Sequence, residues 1–396
     1  MNYCTAFTRA ILLPTLALPQ EYLDAFRSIR LTLECRYREY HLVSCALPSS
    51  IKQDWYAYAT FTIAADDLID ETSDVETSSK NLTMMNEWLE LVYSSLDEDL
   101  ENDSVDLEVL RRQGPSTSLI SFLDPEKSRA ITLFLHQKVP VEAQASFLVF
   151  PTIAHRTPRY IINELFYGFK SEIGKQKAKT STAMFKNEEE LIHYSRQVTG
   201  FAGEYVAWSF LSHGCVHSVP DDNFMETRYR LLVKFNDLAT SINMTLTARD
   251  IRKDAEKYGR VNIPVDWFNE QKPLHFRTLT MNPKIFPSRY VNHLLTLLEG
   301  SSKNSNLDLN TVPYETYAAL LVDLGGLFYQ KSIPECNLLS RNLRGHIRAL
   351  IELNRESAHC ILNYYLRNLQ SSSVARGKLS KWRMIWIIIK ALYLGR

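Results

Sequence analysis

Asp66-Asp67-Leu68-Ile69-Asp70-Glu71 closes a strongly apolar run, with Asp66 and Asp70 four positions apart. In a helix that spacing brings two carboxylates to one face about one turn apart, where they can share hard divalent cations through oxygen. Carboxylates at the end of a buried helix must be paired, solvated in a cavity or bound to metal, so Asp66, Asp67 and Asp70 are candidate metal ligands. A second cluster lies far downstream, in Asn243-Met244-Thr245-Leu246-Thr247-Ala248-Arg249-Asp250-Ile251-Arg252-Lys253-Asp254. Asp250 and Asp254 repeat the spacing, and Asn243 and Thr247 precede them at steps that keep one helical face. Arg249 and Lys253 flank that face, and a diphosphate needs this combination: Mg²⁺ bridges its oxygens while cationic side chains neutralise the rest. The alternative readings are a solvated helix end for the first cluster and ordinary i,i+4 ion pairs for the second.

Such aspartates need rigid helices to carry them. Gln53–Asp70, Tyr160–Lys170, Glu188–Leu211, Arg228–Lys257 and Tyr314–Tyr329 have helical apolar spacing with little Gly or Pro. Strand-length Val, Ile and Thr runs are almost absent. Breaks fall at Gly114–Ser118, Lys175–Thr182, Asn269–Pro287 and Gly300–Pro313, and none resembles a domain linker. The expected fold is all-α: one large helical bundle over residues 1–396, with facing carboxylates around a central cavity and C-terminal helices over 288–396. Twenty Tyr, 18 Phe and 6 Trp could line that cavity and shelter a carbocation left when an allylic diphosphate ionises, or could simply be core.

Composition removes several function classes. With 45 Lys+Arg against 45 Asp+Glu the chain has no basic footprint for nucleic acid. Its six cysteines form no CxxC pair, which points to a reducing, cytoplasmic setting. Ala10–Leu18 is apolar but broken by Pro14, and no signal peptide is read there. Trp382–Leu394 is too short to span a bilayer; it is expected to pack on the core, with peripheral membrane contact through this basic helix as the alternative. The acidic run Asp97–Glu108 is read as a solvated face. His213-Gly214-Cys215-Val216-His217 has no second ligand cluster, Gly168–Lys175 misses the phosphate-loop spacing, and neither GxSxG nor GxGxxG occurs. Asn236-Asp237-Leu238-Ala239-Thr240 nearly meets a terpene-cyclase metal signature, but its last position is Met244, a poor Mg²⁺ ligand, so Asn236 is read as structural.

Taken in order, these motifs resemble the squalene/phytoene synthase family. Asp66–Asp70 looks like its first aspartate motif, and Ala248–Asp254 followed by Gly259-Arg260-Val261-Asn262-Ile263-Pro264 looks like its second. Tyr194-Ser195-Arg196-Gln197-Val198-Thr199-Gly200 is similar to its Tyr-Val-Ala-Gly helix, and Gly168–Glu172 to a further glycine-to-acid element. The motif-bearing core runs over about 36–264. The resemblance implies the class I isoprenoid synthase fold, a prenyl diphosphate substrate and Mg²⁺, for which about three ions are expected; a nicotinamide is not expected, because no Rossmann fingerprint occurs.

The departures are as informative. The family arginine three residues before the first aspartate is Ile63, the serine of its His-Ser-Lys stretch is Tyr37 within Arg36–Leu42, an asparagine ligand position is Leu246, and a tyrosine is Asn262. Holding two prenyl diphosphates asks for more polar contacts than cyclising one. The pattern therefore looks like the diverged fungal relatives that convert farnesyl diphosphate to humulene. The expectation is a Mg²⁺-dependent sesquiterpene cyclase with Asp66, Asp70, Asp250 and Asp254 as catalytic metal ligands. Asn243 and Thr247 complete the shell, Arg249 and Lys253 bind diphosphate, and Tyr194 lines the cavity. The alternatives are condensation of two geranylgeranyl diphosphates to phytoene, and a non-catalytic assembly factor of the same fold.

Overall fold

The structure is a computed structural model, and it describes residues 20–37, 41–42, 44–45, 47–72, 74–94, 111, 125–178, 183–216, 224–258, 261–267, 314–332, 337–367 and 379–394. The Asp97–Glu108 run, the Ala10–Leu18 stretch, His217, Gly259, Arg260 and the breaks at 114–118, 269–287 and 300–313 lie outside the described residues. The architecture is all-α, and the chain gathers into two compact units. One comprises residues 1–72, 83–101 and 116–155; the other comprises 73–82, 102–115 and 156–396.

In the first unit α1 (Gln20–Arg36) and α2 (Ser49–Asp70) pack on each other and on α5 (Val141–Val149), with α4 (Pro125–Lys138) and α6 (Pro151–Ala154) beside α5. Tyr58, Phe61, Ala65 and Leu68 recur at three- to four-residue steps along α2, with Ile51 two turns before them, and all are buried. Phe61 meets Phe147 at 5.1 Å and Phe150 at 4.4 Å between ring centroids. It stacks at 5.1 Å on Trp88 of α3 (Val75–Tyr93), whose residues are shared between the units. This aromatic knot helps to fix α2, and hence its aspartate-bearing end.

The second unit is built on α10 (Phe224–Tyr258), packed by α9 (Phe201–Ser212) and α11 (Tyr314–Ser332). Met244, Ala248, Ile251 and Ala255 form its core-facing stripe, while Asn243, Thr247, Asp250, Lys253 and Asp254 stay half-buried on another face. α7 (Arg159–Ala178), α8 (Glu188–Ser195) and α12 (Arg341–Arg367) complete the layer, and α13 (Lys381–Ile389) packs on α12. Met384, Ile387 and Ile388 of α13 are buried, whereas Trp382 and Trp386 are exposed. Among the described residues no helix is long and apolar enough to cross a membrane.

Two details differ from the sequence expectation. The helix expected over Glu188–Leu211 is divided by a π-helical turn at Arg196–Gly200, between α8 and α9. Such a turn adds one residue without changing which residues are apolar, so periodicity does not reveal it. Two short strands, β1 (Ala183–Phe185) and β2 (Val261–Pro264), pair in parallel, with Ala183 opposite Val261 and Phe185 opposite Pro264. They are too short to show alternation in the sequence.

Candidate functional site

In the first unit α2 runs to Asp70, and the Glu71 N–H closes it on the Asp67 carbonyl at 3.0 Å. Asp66 is exposed and Asp70 half-buried at that end. Asp67 is engaged by Arg36 of α1: Nη1 donates to Oδ2 at 2.6 Å and Nη2 to Oδ1 at 3.2 Å, with Glu71 a further 3.8 Å contact. This bidentate bond raises the Arg36 pKa. Burial, reinforced by the Asp67 charge, pushes the neighbouring Tyr37 phenol up to about 12. The middle aspartate of the motif thus anchors α2 to α1. Ile63, at the family's arginine position, is half-buried on α2, and Arg36 is the guanidinium beside this motif.

In the second unit the predicted face on α10 forms as one continuous helical stripe. Arg249 holds Asp250 Oδ2 through Nη2 at 2.7 Å and Nε at 3.2 Å. Asn262 of β2 donates to Asp254 Oδ2 at 3.1 Å, so the residue that replaces the family tyrosine ties the aspartate to the small sheet. β1, paired to β2, places Phe185 at 5.2 Å from the Tyr194 ring, and the Tyr194 hydroxyl donates to Glu172 Oε2 at 2.7 Å. Glu172 is 4% exposed, and that bond fixes the orientation of Tyr194. The Lys175 ammonium sits 4.3 Å from the Phe185 centroid and 2.8 Å from Glu190. Burial acts to raise the Glu190 pKa, but Lys175 and the Lys186 N–H together hold it below the ordinary carboxylate value.

Other polar residues on α9 and α10 serve packing. Glu204 is wholly buried and accepts from Arg111 Nε and Tyr160 Oη, each at 3.0 Å, and from Asn236 Nδ2 at 2.7 Å. Burial first, and then the Glu204 charge, raise the Tyr160 pKa well above its usual value. Met244 is buried and receives a 3.9 Å bond from Ser195. After Ser212 the chain leaves α9 through Gly214 at φ 64, so His213 and Cys215 lie in a loop.

Among the described residues no group of three or more His, Cys, Asp or Glu is gathered to hold a metal ion. The donor chemistry nonetheless fits Mg²⁺, which keeps several waters and takes one or two carboxylates together with substrate phosphates. Asp66 with Asp70, and Asp250 with Asp254, supply such oxygen pairs one turn apart on faces that reach water. Arg36, Glu172 and Lys175 were not assigned as site residues by sequence reasoning. The glycine-to-acid element pointed at Glu172, whereas no spacing rule links Arg36 to Asp67 across 31 residues.

This all-α arrangement is the isoprenoid synthase fold. A dehydrosqualene synthase structure aligns over 94% of this chain and 96% of its own, at 14% identity and a TM-score of 0.57. A squalene synthase from Alicyclobacillus acidocaldarius covers 89% of this chain and 96% of its own, at 16% identity and a TM-score of 0.50. The profile described as squalene/phytoene synthase matches residues 35–298, well over half of the sequence, and the chain belongs to that family. Its similar curated proteins include bifunctional lycopene cyclase/phytoene synthases. That of Phaeosphaeria nodorum is 23% identical over 244 residues, 61% of this chain and 34% of the relative. That of Phaffia rhodozyma is 24% identical over 248 residues, 60% of this chain and 36% of the relative. The chain thus spans about a third of the length of the curated relatives it matches. These relatives are phytoene-synthase-like, and nothing in them singles out the humulene-forming subtype.

Proposed function

We propose that the chain ionises an allylic prenyl diphosphate with Mg²⁺ and joins two such molecules head to head, in the manner of a phytoene synthase acting on geranylgeranyl diphosphate. The observation that carries this reading is the family match over 35–298, which contains both aspartate pairs on helix faces open to water. Asp66 and Asp70 on α2, and Asp250 and Asp254 on α10, would hold the metal, with Asn243 and Thr247 beside the second pair. Bound Mg²⁺ would supply charge neutralisation of the departing diphosphate. Arg249 and Lys253 would bind and neutralise its remaining oxygens, and Arg36 would keep Asp67 oriented. Tyr194, fixed by Glu172, would present its ring to the apolar part of the substrate. On this reading residues 1–396 work as one synthase domain in the cytoplasm, with no nucleic-acid partner.

A second reading, cyclisation of farnesyl diphosphate to a macrocyclic sesquiterpene such as humulene, is favoured by Ile63, Tyr37 and Leu246, which replace polar groups that a two-substrate site uses. Purified protein would be incubated with Mg²⁺ and, separately, geranyl, farnesyl and geranylgeranyl diphosphate, and extracts analysed by chromatography with mass detection. A 40-carbon product supports condensation, and a 15-carbon cyclic hydrocarbon replaces it by cyclisation. No product from any substrate, together with no thermal shift from Mg²⁺ and pyrophosphate, would favour a non-catalytic assembly role.

A further inference from the structure

Cys35 and Cys45 are both free, exposed thiols in the first unit, in different surroundings. Cys45 lies in a helical turn after α1, where its N–H donates to the His41 carbonyl at 3.1 Å. Its Sγ is 3.5 Å from His41 Nε2. His41 is 8% exposed, and its second ring nitrogen, Nδ1, is 3.3 Å from Tyr56 Oη on α2.

Two hydroxyls, from Ser44 and Tyr56, lie against this residue. Ser44 has one hydroxyl hydrogen, and a 2.7 Å bond to the His41 carbonyl uses it. The Ser44 oxygen also lies 3.4 Å from Tyr56 Oη. In the tautomer that carries its hydrogen on Nδ1, His41 donates to Tyr56 Oη at 3.3 Å and offers the Nε2 lone pair to the Cys45 thiol. Burial lowers the His41 pKa, Glu34 opposes that shift, and Arg30 and Lys52 add to it, which favours the neutral imidazole at pH 7. An exposed nucleophile, a buried base and a third group orienting the base form the arrangement that activates a thiol.

We propose that Cys45 is a modification site: a thiol activated by His41 Nε2 that takes low-molecular-weight disulfides and forms a mixed disulfide. In the exchange the Cys45 S–H proton passes to Nε2 and the Cys45 sulfur bonds to one sulfur of the disulfide. The disulfide S–S bond breaks, and the departing thiolate takes the proton from Nε2 and leaves as a thiol. One thiol is consumed and one released, and excess thiol reverses the step. The site is independent of the reaction proposed above.

Cys35 provides an internal control for exposure. The full chain would be treated with oxidised glutathione, and occupancy at Cys35 and Cys45 followed by peptide mass spectrometry. Cys45 is expected to react about ten times faster than Cys35. His41→Gln should bring Cys45 down to the Cys35 rate, and Tyr56→Phe, which keeps the ring and removes the hydroxyl facing Nδ1, should slow Cys45 while leaving Cys35 unchanged. If His41→Gln fails to fold, as read by circular dichroism, Tyr56→Phe carries the test. Equal rates at the two cysteines, or a Cys45 rate unaffected in the folded variants, would overturn the proposal.

Discussion

Gly203→Ala should destabilise the second unit, because α9 and α10 touch there backbone to backbone. A Cβ on Gly203 would lie 2.0 Å from the Phe235 carbonyl oxygen, 2.7 Å from the Phe235 carbonyl carbon and 2.8 Å from Ala239 Cβ. Ordinary contact begins near 3.4 Å, so the closest of these is short by about 1.4 Å (3.4 minus 2.0). No flexible side-chain end is available to yield, and the helices themselves must separate. Overpacking of this kind costs about 1–3 kcal/mol, and the backbone obstacle places it at the upper end. The better helix propensity of alanine returns up to about 1 kcal/mol, leaving a net loss of roughly 2 kcal/mol. Gly174→Ala on α7 is the matched control: nothing lies within 4 Å of its added Cβ, so it should stabilise by about 0.5–1 kcal/mol. Urea unfolding followed by circular dichroism reads both as opposite shifts of the midpoint at constant slope. A Gly203→Ala protein as stable as the parent would refute the close helix contact and the placement of α10 that follows from it.

Arg111→Ala should cost about 3–5 kcal/mol, because it leaves the fully buried Glu204 without its cation, while Arg111→Met combined with Glu204→Gln should cost much less; denaturant midpoints of the two variants check the difference. Glu190 has a folded pKa below its ordinary 4.5, so its ion pair with Lys175 stabilises the protein fully above that pH and is lost as pH falls through the lower folded value. The gap in thermal stability between wild type and Glu190→Gln should therefore be present at pH 7 and close in acid, with a size of at most about 1 kcal/mol for this partly exposed pair. Trp382→Ser should alter stability by less than about 0.5 kcal/mol, since that side chain is 80% exposed, whereas Trp88→Ala should cost about 3–5 kcal/mol.

The helices that carry the two aspartate pairs were legible because their period is written in side chains: the Phe61–Ala65–Leu68 stripe of α2 and the Met244–Ala248–Ile251–Ala255 stripe of α10. The same period predicts which face holds Asn243, Thr247, Asp250 and Asp254. Contacts between distant segments were not legible. Arg36 on Asp67, Asn262 on Asp254 and Tyr194 on Glu172 depend on how helices and the small sheet come together, and the residue types alone are compatible with many partners. Asn236 was read as structural because Met244 cannot complete its metal signature, and its partner Glu204 became visible only once α9 lay on α10. The choice between one and two prenyl chains was read from missing polar groups, while the phytoene-synthase-like relatives point the other way.

The most direct test of the central claim is release of inorganic pyrophosphate from geranylgeranyl and farnesyl diphosphate, measured with Mg²⁺ and with excess chelator for the wild type and for Asp66→Asn and Asp250→Asn. The account predicts Mg²⁺-dependent release that falls at least about a hundredfold in each variant, as expected when an interaction essential to leaving-group departure is removed, with helical circular dichroism unchanged. Release that persists in either folded variant, or that ignores the chelator, would contradict the assignment of both aspartate pairs to metal-assisted ionisation.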